Sequence, residues 1–142
     1  MPDWLALAPL VIWPSLLLTA LLLLLRAFWE PTRLDCSTVR VQQDESESPP
    51  ANLRVLLFSD LHAEYFRLPP EHLLRACAEA RPDVVVFAGD LTGSPAHLGQ
   101  ALDLMRRIRQ LRDLAACPFL AVRGNHDTDR TVEGLRRIGI TV

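Results

Sequence analysis

The 142 residues leave room for one domain of ordinary size, and a net charge of −2 excludes a nucleic-acid surface built on bulk positive charge. Hydrophobic residues make up 49% of the chain but crowd into its beginning, so the remainder has the composition of a soluble domain. All 15 basic residues are Arg and mark no site by themselves, and Cys36, Cys77 and Cys117 lie too far apart for a C-x-x-C pair or a disulfide framework.

The first element is an apolar span. Residues 4–25, WLALAPLVIWPSLLLTALLLLL, carry no charge. At about 1.5 Å per residue, a helix of that length crosses a hydrocarbon core of about 30 Å. Trp4 at one end and Phe28-Trp29 at the other suit the two membrane interfaces. Pro9 and Pro14 are better tolerated in a membrane helix than in a soluble one. A cleaved signal peptide needs a basic start and a small-x-small site; only Met1-Pro2-Asp3 precede the span, and LLRAFWE offers no such site. The expectation is an N-terminal transmembrane anchor over residues 1–29, single-pass in the cell membrane. Arg26, Arg33 and Arg40 all follow the span, so the positive-inside rule favours a cytoplasmic C-terminal domain.

Residues 30–52 read as a connector. Its first part, EPTRLDCSTVRV, ends in a strand-like stretch, and QQDESESPPAN is an acidic, Pro-bearing linker. The folded domain is expected over residues 53–142. LRVLLFS (53–59) has the length of a buried strand. Pro69-Pro70 opens a helix, EHLLRACAEA, with Leu73, Leu74, Cys77 and Ala78 on one face, and Pro82 ends it. VVVFA (84–88) is a second strand, rich in β-branched residues. Ser94-Pro95 supplies an N-cap and a first-turn proline to a helix burying Leu98, Ala101, Leu102, Met105 and Ile108. PFLAV (118–122) is the third strand, Thr131 to Ile138 the third helix, stopped at Gly139, and ITV begins a fourth strand. Alternating strands and helices predict an α/β fold of right-handed βαβ units with a mostly parallel sheet.

The polar residues fall where that topology concentrates them. The first strand runs into Asp60-Leu61-His62, the second into Gly89-Asp90, the third into Gly124-Asn125-His126-Asp127. In a parallel sheet these three loops leave one carboxyl edge, where open α/β folds place ligands. Carboxylate, imidazole and carboxamide oxygen suit first-row divalent ions such as Zn, Fe or Mn. Asp60 and His62 could close on one ion, Asp90 could bridge two, Asn125 could bind the second, and His126 could stand outside as a proton donor. Taken singly, an Asp after a strand is more often a turn or cap residue and a lone His a hydrogen-bonded structural one. Three such clusters at consecutive strand ends argue otherwise. His72 and His97 sit in first turns of helices and read as solvated, as does the stretch Arg106, Arg107, Arg109, Arg112 beside Asp103 and Asp113.

SDLH, FAGDLT and VRGNHD, spaced by about thirty residues, together resemble the signature of the calcineurin-like metallophosphoesterases, D-x-H, G-D and G-N-H-D/E. The anchor followed by FWEPTRLDCSTVRV is similar to that family's membrane-anchored bacterial branch. The resemblance implies the first half of a four-layer αββα fold and two divalent metal ions (Mn, Fe or Zn). By that resemblance Asp60 and His62 bind the first ion, Asp90 bridges both, and Asn125 binds the second. His126 is then the catalytic histidine and general acid, with Asp127 orienting it. Two ions about 3.5–4 Å apart would clamp the phosphoryl group and activate a water. The family's later histidine motifs, which supply three more ligands, have no counterpart, since no histidine follows His126. The domain is therefore expected to be incomplete at its C-terminus and this sequence to be the N-terminal half of a longer protein. The expected function is a membrane-anchored phosphoesterase acting on a phosphate ester, lipid-linked phosphates included, with no nucleic-acid partner. The alternatives are a non-catalytic membrane-anchored scaffold on the same fold, or an inactive truncated product.

Overall fold

The computed structural model describes residues 4–41 and 52–142. It forms two separate compact units, Met1–Leu34 and Asp35–Val142.

In the first unit, helix α1 (Trp4–Trp29) absorbs the whole apolar span and runs four residues beyond it. Its two hydroxyl residues turn inward on the helix itself, Ser15 Oγ donating to the Val11 carbonyl and Thr19 Oγ1 to the Ser15 carbonyl. That bonding leaves no hydroxyl hydrogen unpaired in an apolar medium. The stretch Val11–Trp29 is long and apolar enough to cross a membrane, and none of it is buried by protein. A short 3-10 turn, Glu30–Thr32, follows.

The strand expected at the end of the connector does not form. Val39 and Val41 are 81% and 91% exposed, and the segment has no ladder partner among the described residues. An extended apolar-polar alternation becomes a strand only when a neighbour takes its hydrogen bonds. The acidic linker of residues 42–51 lies outside the described residues.

The second unit is the anticipated α/β layer. Strands β1 (Val55–Phe58), β2 (Val84–Phe87) and β3 (Phe119–Ala121) make a parallel sheet in the order β1-β2-β3. Val55 pairs with Val84 and Phe58 with Phe87, while Val85 pairs with Phe119 and Phe87 with Ala121. Leu120 and Thr141 form an isolated parallel bridge, the beginning of the expected fourth strand. Helices α2 (Pro70–Ala80), α3 (Leu98–Arg109) and α4 (Asp129–Arg137) fill the crossovers.

The helix ends follow their local chemistry. Arg81 takes the left-handed conformation (φ +44°) that closes α2 ahead of Pro82. Thr128 caps α4 with a reciprocal pair of bonds, its hydroxyl accepting from the Thr131 N–H while the Thr131 hydroxyl accepts from the Thr128 N–H. Ser94 departs from expectation. A 3-10 turn (Pro95–His97) precedes α3, and the Ser94 hydroxyl pairs with His97 Nδ1 at 3.0 Å rather than capping a backbone N–H.

Strand alternation sorts the sheet into two unlike faces. Val85, Phe87, Phe119 and Ala121 are buried with Leu73, Cys77, Met105, Ile108 and Leu135 in one core. Each large side chain so buried contributes about 1.5–3 kcal/mol. The other face carries Val55, Leu57 and Leu120, exposed at 52%, 65% and 43%. The apolar runs had suggested strands covered on both sides; in this chain the helices cover one. The basic stretch of α3 stays on the surface and finds partners there, Arg106 on Asp103, Arg107 on Glu71 of α2, and Arg109 on the carbonyls of Leu114 and Ala115.

Candidate metal centre

The β1–β2 ladder does not stop where the strands do. Ala88 N–H donates to the Phe58 carbonyl, Asp60 N–H to Gly89, His62 N–H to Asp90 and Ala63 N–H to Leu91. The two loops are thus zipped together beyond the sheet edge, which carries Asp60, His62 and Asp90 forward as one block. The ligand-capable atoms of these three residues all lie within 4.8 Å of one another. His62 Nε2 stands 4.0 Å from Asp60 Oδ1, with Asp60 open to solvent and His62 largely covered.

All three adopt backbone conformations that L-residues seldom use, with φ +53° at Asp60, +38° at His62 and +61° at Asp90. A left-handed residue of this kind costs about 1–3 kcal/mol and persists only where its surroundings over-determine it. Here the zipped loops hold the strain. The conformations swing each side chain out of strand alternation and toward the shared edge.

The third loop is held just as closely. A Cβ on Gly89 would sit 2.5 Å from the Gly124 nitrogen, and one on Gly124 would sit 2.3 Å from Asp90 Oδ1. Only glycine at both positions lets the two loops touch. The His126 N–H then donates to Asp90 Oδ1 at 2.8 Å. The His126 ring comes to rest edge-on against His62, with centroids 5.1 Å apart, while remaining exposed. Asn125 is exposed between Gly124 and His126, both of which meet Asp90.

Asp127, which the resemblance makes the residue that orients His126, is bonded to the backbone. Its carboxylate, 4% exposed, accepts three backbone N–H bonds of 2.9 Å, from Asp90 and Gly124 on Oδ2 and from Leu91 on Oδ1. It therefore fastens the loop that carries His126 to the loop that carries Asp90.

Two residues of the site escaped the sequence reading. Glu64 accepts from the Thr92 hydroxyl at 2.6 Å and from the Gly93 N–H at 3.0 Å, and its Oε1 lies 3.7 Å from His62 Nδ1. The Thr92 bond, supported by the backbone N–H groups of Glu64 and Gly93 and by His62, outweighs burial and lowers the Glu64 carboxyl from 4.5 to about 2. The available signal was positional: Glu64 and Thr92 each stand two residues beyond a candidate ligand.

The donor set suits a hard or borderline divalent ion. Two carboxylates and an imidazole, with no thiolate among them, match Mn, Fe or Zn. Their strained but braced backbones gather them at one edge of the sheet.

Comparison with known proteins agrees. The family model described as Calcineurin-like phosphoesterase matches residues 53–140, and the chain belongs to that family. It is 40% identical over 75 residues to the protein named "Probable cyclic nucleotide phosphodiesterase" of Pseudoalteromonas sp. (strain SM9913), covering 50% of this chain and 28% of that one. It is 24% identical over 102 residues to "Uncharacterized metallophosphoesterase YkoQ" of Bacillus subtilis (strain 168), covering 72% of this chain and 37% of that one. The chain thus spans about a third of the length of these curated relatives. No solved structure gives a significant match.

Proposed function

We propose that this member of the calcineurin-like phosphoesterase family is the N-terminal part of a membrane-anchored, metal-dependent hydrolase of phosphate esters. The observation that carries the reading is the gathering of Asp60, His62 and Asp90 ligand atoms within 4.8 Å at the carboxyl edge of a parallel sheet. In this reading Asp60, His62, Asp90 and Asn125 would hold divalent ions, Asp60 and His62 on a first, Asn125 on a second and Asp90 serving both. Bound divalent ions supply Lewis acidity toward phosphoryl oxygens and a water of lowered pKa. The chain's own part in the chemistry falls to His126. As water adds to phosphorus and the P–O bond to the leaving group breaks, His126 gives the departing oxygen its proton, an effect worth about 10²–10⁴-fold. Asp127 keeps His126 at that post by holding its loop.

The remaining ligands would come from the rest of a longer protein, a reading that the relatives' greater lengths support, and the bare apolar face of the sheet suits a second packed layer. The anchor is α1, and the arginines after the span support a single pass with the domain on the cytoplasmic side. Protease protection in sealed vesicles tests that orientation. The name of the Pseudoalteromonas relative favours a phosphodiester, and the apolar helix favours a substrate met at the lipid surface.

Metal analysis of the full-length protein, paired with hydrolysis of p-nitrophenyl phosphate and bis(p-nitrophenyl) phosphate, tests the reading. Bound divalent metal and ester hydrolysis abolished by chelation are expected. A folded, full-length protein free of metal and inactive on both esters would instead make it a scaffold.

A further inference from the structure

His62 has a carboxylate near each of its ring nitrogens. Nε2 lies 4.0 Å from Asp60 Oδ1, within the ligand group, whereas Nδ1 lies 3.7 Å from Glu64 Oε1, outside that group, both beyond hydrogen-bond distance as the side chains stand. The two nitrogens of an imidazole diverge, so a group that meets Nδ1 cannot share an ion with Nε2. Glu64 is therefore placed behind the ligand.

The carboxylate is itself held fast. Oε2 accepts the Thr92 hydroxyl at 2.6 Å, and Oε1 accepts the Gly93 N–H at 3.0 Å. Thr92, 1% exposed, accepts from the Ser94 N–H, and of the two acceptors its hydroxyl hydrogen can reach, Glu64 at 2.6 Å is nearer than the Ser94 carbonyl at 3.3 Å. The Glu64 side chain is 14% exposed and has little freedom to turn away. Imidazoles that ligate metals donate their second N–H to a carboxylate or carbonyl, which fixes both tautomer and ring direction. From this arrangement we infer that Glu64 is a positioning residue of the metal centre. Its Oε1 stands where it can take the Nδ1–H and so keep the His62 imidazole with Nε2 turned to the ion, while Thr92 ties the carboxylate to the loop of Asp90. The inference rests on the metal-centre reading above, because only a ligand needs its free nitrogen directed. A loop staple without this role would bond Thr92 and Gly93 equally well yet leave the His62 tautomer indifferent to its loss.

The test uses the full-length protein with zinc as the probe. Long-range proton–nitrogen spectra of the zinc-loaded wild type are expected to show His62 protonated on Nδ1 and metal-bonded on Nε2. In the metal-free Glu64→Ala variant the two neutral tautomers of His62 should mix. Zinc affinity, read by competition with a chromophoric chelator, should fall about 10–100-fold in Glu64→Ala. Glu64→Gln, whose carbonyl oxygen still accepts from Nδ1, should recover part of it. A metal bond to His62 Nδ1 overturns the proposal, as does a folded Glu64→Ala protein with unchanged affinity and tautomer. Should Glu64→Ala fail to fold, Thr92→Val, which frees the Glu64 carboxylate, takes its place: weaker zinc binding with mixed His62 tautomers supports the proposal, and unchanged affinity and tautomer overturn it. A wild type that binds no zinc removes the metal-centre reading as well, whereas zinc binding that is indifferent to Glu64 removes this inference alone.

Discussion

Removing the Asp127 carboxylate should loosen two loops at once. Asp127 accepts the N–H groups of Asp90, Leu91 and Gly124, each at 2.9 Å, from a position 4% exposed. Bonds to a charged acceptor are worth about 1.5–3 kcal/mol each, and the low end suits backbone groups that water can reach after truncation. Asp127→Ala should therefore cost about 4–5 kcal/mol, much of the roughly 5–15 kcal/mol that stabilises a domain. Asp127→Asn should cost about half as much. Its one acceptor oxygen can keep the two bonds now made by Oδ2, while its amide nitrogen confronts the Leu91 N–H. Urea unfolding of the full chain in detergent measures the loss, and hydrogen exchange at the Asp90, Leu91 and Gly124 amides locates it. An alanine variant within about 1 kcal/mol of the wild type, less than one such bond, with those amides equally protected, would refute the reasoning.

Other changes separate the site from the scaffold. Gly124→Ala places a methyl 2.3 Å from Asp90 Oδ1, so Asp90 must yield; zinc titration should show at least about tenfold weaker binding, with about 1–3 kcal/mol lost in unfolding. Gly99→Ala on α3 meets nothing within 4 Å and should instead stabilise by about 0.5–1 kcal/mol in thermal melts, since glycine is the poorer helix former. Burial pushes the Cys77 thiol from 9.0 up to about 11, so iodoacetamide at neutral pH should label exposed Cys36 and spare Cys77. The same shift keeps the folded state protonated after the unfolded chain has lost its proton. Its contribution to stability is full below pH 9 and should fall as pH rises from about 9 to about 11, a decline that Cys77→Ala should remove in alkaline unfolding.

Much of the layer could be read before folding, because local rules govern it. The period of Leu73 and Cys77 on α2, and of Ala101, Met105 and Ile108 on α3, marks the faces that enter the core. Pro82 and Gly139 stop their helices for reasons internal to a few residues. Leu104, three residues after Ala101 and four before Ile108, lies on the same face and is buried with them. Val39 and Val41 are the exception. Their alternation is that of a strand, yet pairing depends on a neighbour that local sequence cannot supply.

The strand-end motifs by themselves determined which residues meet, since parallel connectivity sends Asp60, Asp90 and the Gly124–Asp127 loop to a single edge. Only the tertiary structure decided how they meet. The left-handed backbone at three ligand positions, the contact of Gly89 with Gly124, the peptide-binding role of Asp127 and the place of Glu64 behind His62 all depend on bonds between loops about thirty residues apart. Periodicity reports which way a side chain faces along its own element. It carries no information about a carboxylate's partner across a gap that closes only on folding.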